Sequence, residues 1–387
     1  MTITTLELTC RDPIVSRDGR PFGAGQGNRM RAIGWPLPSV VAGSLRTAIG
    51  KVAAREFSAA TAQELLQVAV VGVFPVADRQ LYLPVPHDCV VHPERGPLRV
   101  TPQTVDDCGC DWPADGLRPV MLSEAQAPAD FKQKDVPAWW PLARYTEWLV
   151  GRNIKVDRQF LHAPLVEQRT HVQLDPDTGA ADEGNLFTTA ALPLTHLARS
   201  NAKPDGMFHE RFAEISLIAR VTASGWCGET VARLNALHPL GGERRLVYWK
   251  VTAANDWDCP RAVSDALAEA NRVRMVLATP AIFREGWKPG WLNDHLIGSP
   301  PGSNVTLKLV GVSIQRWRAV SGWSLAELPN QPRGPKPVKR MVPAGGVYFF
   351  EVENGSASPL TSRWLEPVSD GEQDRRDGFG LAAWGTW

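Results

Sequence analysis

The 387-residue sequence has no excess of either charge: 42 Lys and Arg stand against 41 Asp and Glu, a formal net charge of +1. That balance excludes the global basicity of a free-standing nucleic-acid binder, so any contact with a polyanion must come from local clusters or be shared with partner subunits. Long apolar runs are missing as well. The longest, LLQVAVVGVF, is far below the roughly 20 residues a membrane span requires, and the opening MTITTLELT has no basic leader region, so the expectation is a cytoplasmic protein without membrane partners. Cysteine is sparse: six residues at 10, 89, 108, 110, 227 and 259 lack the density of a secreted disulfide scaffold. His87, Cys89, His92, Cys108 and Cys110 have zinc-compatible chemistry, but C-x-C is not a C-x2-C knuckle and no second close pair follows. No cofactor is expected. There is also no Walker loop, no H-E-x-x-H and no G-x-S-x-G, so hydrolases of those kinds lack support. The terminal G-x-G is no dinucleotide motif, because no helix can follow it.

What is present is a globular composition, 43% hydrophobic with 15 tryptophans, long enough for two core-bearing domains. The stretch WPLPSVVAGSLRTAIG organises the rest. Pro36 and Pro38 hold the chain extended, and Ser39 is expected to cap a helix that buries Val41, Leu45, Ala48 and Val52. Gly43 and Ser44 leave the positive end of that helix uncovered, and Arg46 stands one turn on, an arrangement suited to phosphate; a plain capped helix with Gly43 admitting a neighbouring strand fits the same residues.

Leu6, Leu8 and Cys10 alternate as a strand, and Arg17-Asp18-Gly19-Arg20-Pro21 reads as a turn with two flanking arginines. Thr61 to Glu64 has the form of a capping box opening a helix through Val70 that closes at Gly72. Leu81 to Val85 is a strand that its prolines place at an edge or terminate. Residues 92–140 lack periodicity and read as a surface insertion. From Arg144 to Arg169 a modest basic excess, including Arg158, interleaves with Tyr145, Trp148 and Phe160, either a groove wall or a solvated face. Residues 169–187 read as a hairpin around Asp175-Pro176-Asp177-Thr178-Gly179, with Arg169 and His171 on its polar face.

SNAKPDGM marks a boundary near residue 205. After it, Gly241 and Gly242 precede Arg244 and Arg245: paired glycines admit an RNA backbone to main-chain amides, and guanidiniums grip phosphate. Pro260 is expected at N1 of a helix followed by strands near 275–278, 305–314 and 347–352. Between the last two lies a proline-rich loop in which Arg333, Lys336, Lys339 and Arg340 meet no acid. The terminal Gly378–Gly385 stretch completes a strand bounded by close-packing glycines.

The pattern P-x-P-S-x-x-A-G-S-L-R, preceded by VSRDGRPFG and followed in order by YLPVPHD, DPDTGAADEGNLF, LGGERRLV, LATPAIFREGW, VPAGGVYFF and DGFGLAAWG, resembles the type III-B (Cmr-type) RAMP subunit of CRISPR effectors that caps the 5′ tag of the guide RNA. The resemblance implies an α+β chain of two ferredoxin-like, RRM-type domains, residues 1–205 and 206–387, with antiparallel sheets and a projecting hairpin thumb. It further implies a non-catalytic subunit whose partners are the guide RNA, target RNA near the thumb, a large polymerase/cyclase-like subunit and a backbone RAMP subunit. The candidate RNA contacts are Arg17, Arg20, Ser39, Gly43, Ser44, Arg46, Arg158, Arg169, His171, Gly241, Gly242, Arg244 and Arg245. Some RAMP proteins instead cut CRISPR RNA without metal, using histidine, and His171 and His238 are the best-placed candidates for that alternative.

Overall fold

The computed structural model describes residues 1–17, 28–104, 116–123, 136–199, 210–253, 257–324, 327 and 332–387. The chain is mixed α/β with antiparallel sheets, as expected. It forms two compact units, each assembled from three stretches: 1–68, 163–252 and 319–339 in the first, 69–162, 253–318 and 340–387 in the second. The boundary expected near residue 205 lies outside the described residues.

In the first unit, Thr2–Cys10 alternates as its sequence dictates, with Leu6 and Leu8 fully buried. It pairs antiparallel with Leu246–Thr252 on one side and Ser216–Ala223 on the other; Leu8 faces Trp249 and Leu217. Asn235–Pro239 extends the sheet beyond Leu246–Thr252. The helices Pro38–Val52 and Gly225–Val231 pack together, and the first buries Val41, Ala42, Leu45, Ala48 and Ile49. Val52, expected on this face, is exposed.

The start of the Pro38–Val52 helix corrects the sequence reading. Leu37 is the N-cap and Pro38 occupies N1, where its fixed φ is already helical and its missing N–H is not needed. Ser39 falls one position inside and no side chain caps this end. The next helix also begins earlier than expected: Ala59–Leu66 is capped by Ser58, whose hydroxyl accepts from the Thr61 amide at 3.2 Å. Val70, assigned to that helix, belongs to the strand Ala69–Ala77.

The second unit is built on a sheet ordered Ile297–Gly298, Thr306–Ser313, Val347–Asn354, Arg272–Leu277, Leu381–Thr386 and Glu366–Pro367. Val347, Tyr348, Phe349 and Phe350 are all fully buried, so both faces of this strand are covered, which explains a run with no alternation. The helix Arg261–Ala268 buries Val263 and Leu267; Pro260 is its N-cap, not N1. The terminal strand follows Gly380, whose φ is +79° and where a Cβ would meet Ser369 Oγ at 2.5 Å, as expected of a close-packing glycine.

Gln80–Pro84 ends at its proline but lies between Ala69–Ala77 and Trp139–Pro141. The expected insertion is partly built into the unit. Cys89–His92 pairs with Gly96–Arg99, and Thr101–Pro102 with Val120–Met121, while 105–115 and 124–135 lie outside the described residues. Tyr145 and Trp148 on the Leu142–Leu149 helix, and Phe160, are core side chains, so the aromatics expected to line a groove are buried.

Beneath them lies a charge pair with no exposure. Arg274 Nη1 is hydrogen-bonded to Asp88 Oδ2 and its Nη2 to the Trp148 carbonyl, while Trp148 Nε1 donates to Asp88 Oδ1 at 2.8 Å. Arg99 lies over the Trp148 ring at 3.9 Å and donates to the Trp148 and Arg152 carbonyls at 3.1 and 3.2 Å, tying the end of that helix to the residues just after it.

Candidate nucleic-acid interface

The site in the first unit is assembled around a short apolar segment, Ile14-Val15, that sequence reading passed over. Ile14 exchanges backbone hydrogen bonds with Leu192 at 2.9 and 2.8 Å, fastening it to the end of the hairpin strand Ala181–Ala191. Val15 packs with Met30, Ala190 and Ala191, and its carbonyl accepts from the Gly242 amide at 2.7 Å. One stretch of backbone therefore joins the hairpin base to the glycine loop, and Arg17 emerges from it exposed.

Gly241 shows why glycine is required. Its φ is +78°, and a Cβ there would stand 2.3 Å from the Val15 carbonyl oxygen. The close approach expected of an RNA backbone is made by the protein's own chain, and the Gly242 amide is already committed. Glu243 and Arg244 follow in the left-handed region at φ +55° and +52°, bringing the chain back so that Leu240 N donates to Arg245 O at 2.8 Å. This turn separates the two arginines. Arg245 is half-buried and paired with Glu243 at 2.9 Å, whereas Arg244 is exposed with no ion pair among the described residues.

The hairpin forms as its turn chemistry predicts. Glu167–Leu174 pairs with Ala181–Ala191, and Asp175 Oδ1 accepts from the amides of Asp177 and Thr178 at 2.9 and 2.8 Å, which pulls its pKa below the usual carboxylate range. A bulge interrupts the register between Val172 and Leu174. His171 stacks on Phe187 at 5.1 Å, and its Nε2 shares a 2.8 Å hydrogen bond with Thr189. Arg169 is exposed and bonded to Glu167 at 2.5 Å. The expected division into a polar and an apolar face holds only in part. Val172 and Leu186, paired across the strands, are about half exposed, so the second face is not packed.

The long helix reaches the same region by another route. Ser44 Oγ donates to the Pro239 carbonyl at 2.6 Å, two residues before Gly241. Gly43 is exposed with open space where a Cβ would be, so it admits no neighbouring strand. Arg46, expected beside the open helix end, is instead 7% exposed and donates Nη2 to the Val68 carbonyl at 2.7 Å. Arg17, Arg169, Arg244, Arg245, Gly43 and Ser44 are thus tied to one framework, while Arg46 faces the core. Arg158, exposed, belongs to the second unit, and Arg20 lies outside the described residues.

The histidine candidates have no acid–base companion in their hydrogen bonds. His171 is held by a threonine hydroxyl. His238 is buried, and burial, with Lys51 nearby, lowers its pKa. Among the described residues no group of three or more His, Cys, Asp or Glu could hold a metal ion. Cys108 and Cys110 lie outside them. Cys89 is buried, with its thiol pKa pushed up, and His92 Nδ1 accepts from the amides of Glu94 and Arg95. No described helix is long and apolar enough to cross a membrane.

An antiparallel α/β chain with basic loops on a shared framework falls, by comparison with known families, among the CRISPR-associated proteins: residues 6–387 match the family described as CRISPR-associated protein (Cas_Cmr3). The chain belongs to the Cas_Cmr3 family and is a Cmr-type CRISPR effector subunit. It is similar to a chain of type III-B Cmr-beta bound to cognate target RNA and AMPPnP, at 11% identity and TM-score 0.48, over 89% of this chain and 86% of that one. A second Cmr-beta structure, bound to cognate target RNA, gives 11% and 0.47 over the same shares. A chain of the Csm3-Csm4 subcomplex of the type III-A interference complex gives 10% and 0.35, over 89% and 92%. No curated protein matched.

Proposed function

We propose that this effector subunit binds the repeat-derived 5′ tag of the guide RNA and caps the complex without cutting RNA. The observation that carries the reading is the Ile14–Arg17 segment. It fastens the hairpin base and the glycine loop into one framework, from which Arg17 and Arg244 project without an ion pair among the described residues. Cations on a rigid framework hold phosphate with little sequence preference, as befits a subunit that grips one invariant tag in every guide. The acids Glu167 and Glu243 occupy Arg169 and Arg245, so the contact is confined to a few phosphates. In the same reading both halves are ferredoxin-like. Support in the first unit is the adjacency of Leu246–Thr252, Thr2–Cys10 and Ser216–Ala223, with helices following the second and third of these, which is the fourth-first-third strand order of that fold. The hairpin, with half-exposed Val172 and Leu186, serves as the thumb against the guide–target duplex. The large polymerase/cyclase-like and backbone RAMP subunits are the protein partners, in the cytoplasm.

The test is the salt dependence of RNA binding. Each phosphate contact on a single strand contributes roughly 0.7 to the log–log slope, so Arg17→Ala/Arg244→Ala should flatten it by about 1.4. An unchanged slope removes these residues from the interface. If the wild-type subunit cleaves repeat RNA in chelator, and His171→Ala or His238→Ala abolishes cleavage, a metal-independent endoribonuclease replaces this reading.

A further inference from the structure

The basic, proline-rich segment between the strands Thr306–Ser313 and Val347–Asn354 takes no part in the site described above. From 314 to 341 it carries Arg316, Arg318, Arg333, Lys336, Lys339 and Arg340 against a single acid, Glu327, in a chain whose formal net charge is only +1. The exposed tryptophans among the described residues, Trp317 at 47% and Trp323 at 63%, both fall here. One face of Trp317 is taken by Arg340, at 5.0 Å in the second unit.

Trp323, in the first unit, has no such partner among the described residues. It sits on a short antiparallel ribbon, paired with Pro335, while Ser324 pairs with Gly334 and Lys336 N donates to Gly322 O at 2.8 Å. Ser324 and Gly334 are buried, so their neighbours Trp323 and Pro335 take the opposite, exposed face, and Arg333, just before the strand, is exposed as well. An open indole with exposed Arg333 on the partner arm of the ribbon, in a segment of six cations and one acid, favours a polyanion. It suits single-stranded nucleic acid, in which a base stacks on the ring while the cation meets the adjoining phosphate.

We infer that the Trp323 ribbon is a second RNA contact: an unpaired nucleotide base stacks on the Trp323 indole and Arg333 holds a neighbouring phosphate. Stacking is tolerant of base identity, so this contact accepts single-stranded RNA of varied sequence, unlike a fixed tag. The inference rests on the RNA-binding reading and adds a site to it.

The effector complex purified from cells can be crosslinked with ultraviolet light and digested for mass spectrometry. A nucleotide adduct is expected on the peptide containing Trp323, lost in Trp323→Ala and retained in Trp323→Phe. Binding of a labelled single-stranded oligoribonucleotide should weaken about five- to a hundred-fold in Trp323→Ala, with little difference between adenine and uracil. Adducts elsewhere on the chain but none here, or full affinity in a folded Trp323→Ala protein, overturn the inference while leaving the RNA-binding reading intact. Loss of a protein subunit from the Trp323→Ala complex with RNA adducts unchanged assigns the ribbon to a protein partner and likewise overturns it. A complex devoid of RNA defeats the RNA-binding reading itself, and the inference with it.

Discussion

Arg46 carries its charge into the core, where the guanidinium reaches the Val68 carbonyl. Arg46→Glu would oppose a carboxylate to that carbonyl in a buried site, so it should lower unfolding free energy by more than about 3 kcal/mol in urea titration. Ser39 makes the opposite forecast. Because Leu37 caps the helix and Ser39 has no capping bond, Ser39→Ala should change stability by less than about 0.5 kcal/mol, whereas a true cap would cost about 1. The helix itself was legible, since two prolines and an apolar period announce it. Its start slipped because Pro38 satisfies N1 as well as any capping serine satisfies Ncap. Arg46 was readable in principle: it lies four residues after Ala42 and three before Ile49, both buried, and so shares their face. Charge alone assigned it to the surface.

The glycine loop and the hairpin were legible as elements because turn chemistry is local. What they do to each other was not, because the joining residues, Ile14 and Val15, are an unremarked apolar pair whose partners lie far along the chain. Gly241→Ala tests that joint. It would press a methyl group against the Val15 carbonyl in a positive-φ position, so it should displace the loop and weaken RNA binding along with stability. The buried pair of Asp88 and Arg274, 186 residues apart, is equally silent in sequence. It ties the start of the Cys89–Arg99 hairpin to the Arg272–Leu277 strand and, through Trp148, to the Leu142–Leu149 helix. Removing one partner leaves an uncompensated charge, so Asp88→Ala should lose about 3–5 kcal/mol by denaturant titration. A loss below about 1 kcal/mol would mean the pair is hydrated.

At the scale of the whole molecule, both compact units are interleaved along the chain, which no composition shift reveals, since each contributes strands from three separate stretches. His87 gives the fold a pH dependence. Burial lowers its pKa from 6.5 to about 4, so the folded protein keeps it neutral where the unfolded chain would protonate it. Stability from this group is therefore complete above about pH 6.5 and declines as pH falls towards 4, by at most about 3 kcal/mol; His87→Gln should flatten that part of the profile. The functional account stands or falls on the RNA the assembled protein carries. Sequencing the 5′ ends of RNA that co-purifies with the effector complex, from cells bearing its array, tests it most directly. Guides sharing one uniform repeat-derived 5′ end, depleted or ragged in Arg17→Ala/Arg244→Ala, are the predicted result. Guides with uniform 5′ ends in the double variant as in wild type, or no guide RNA at all, would contradict it.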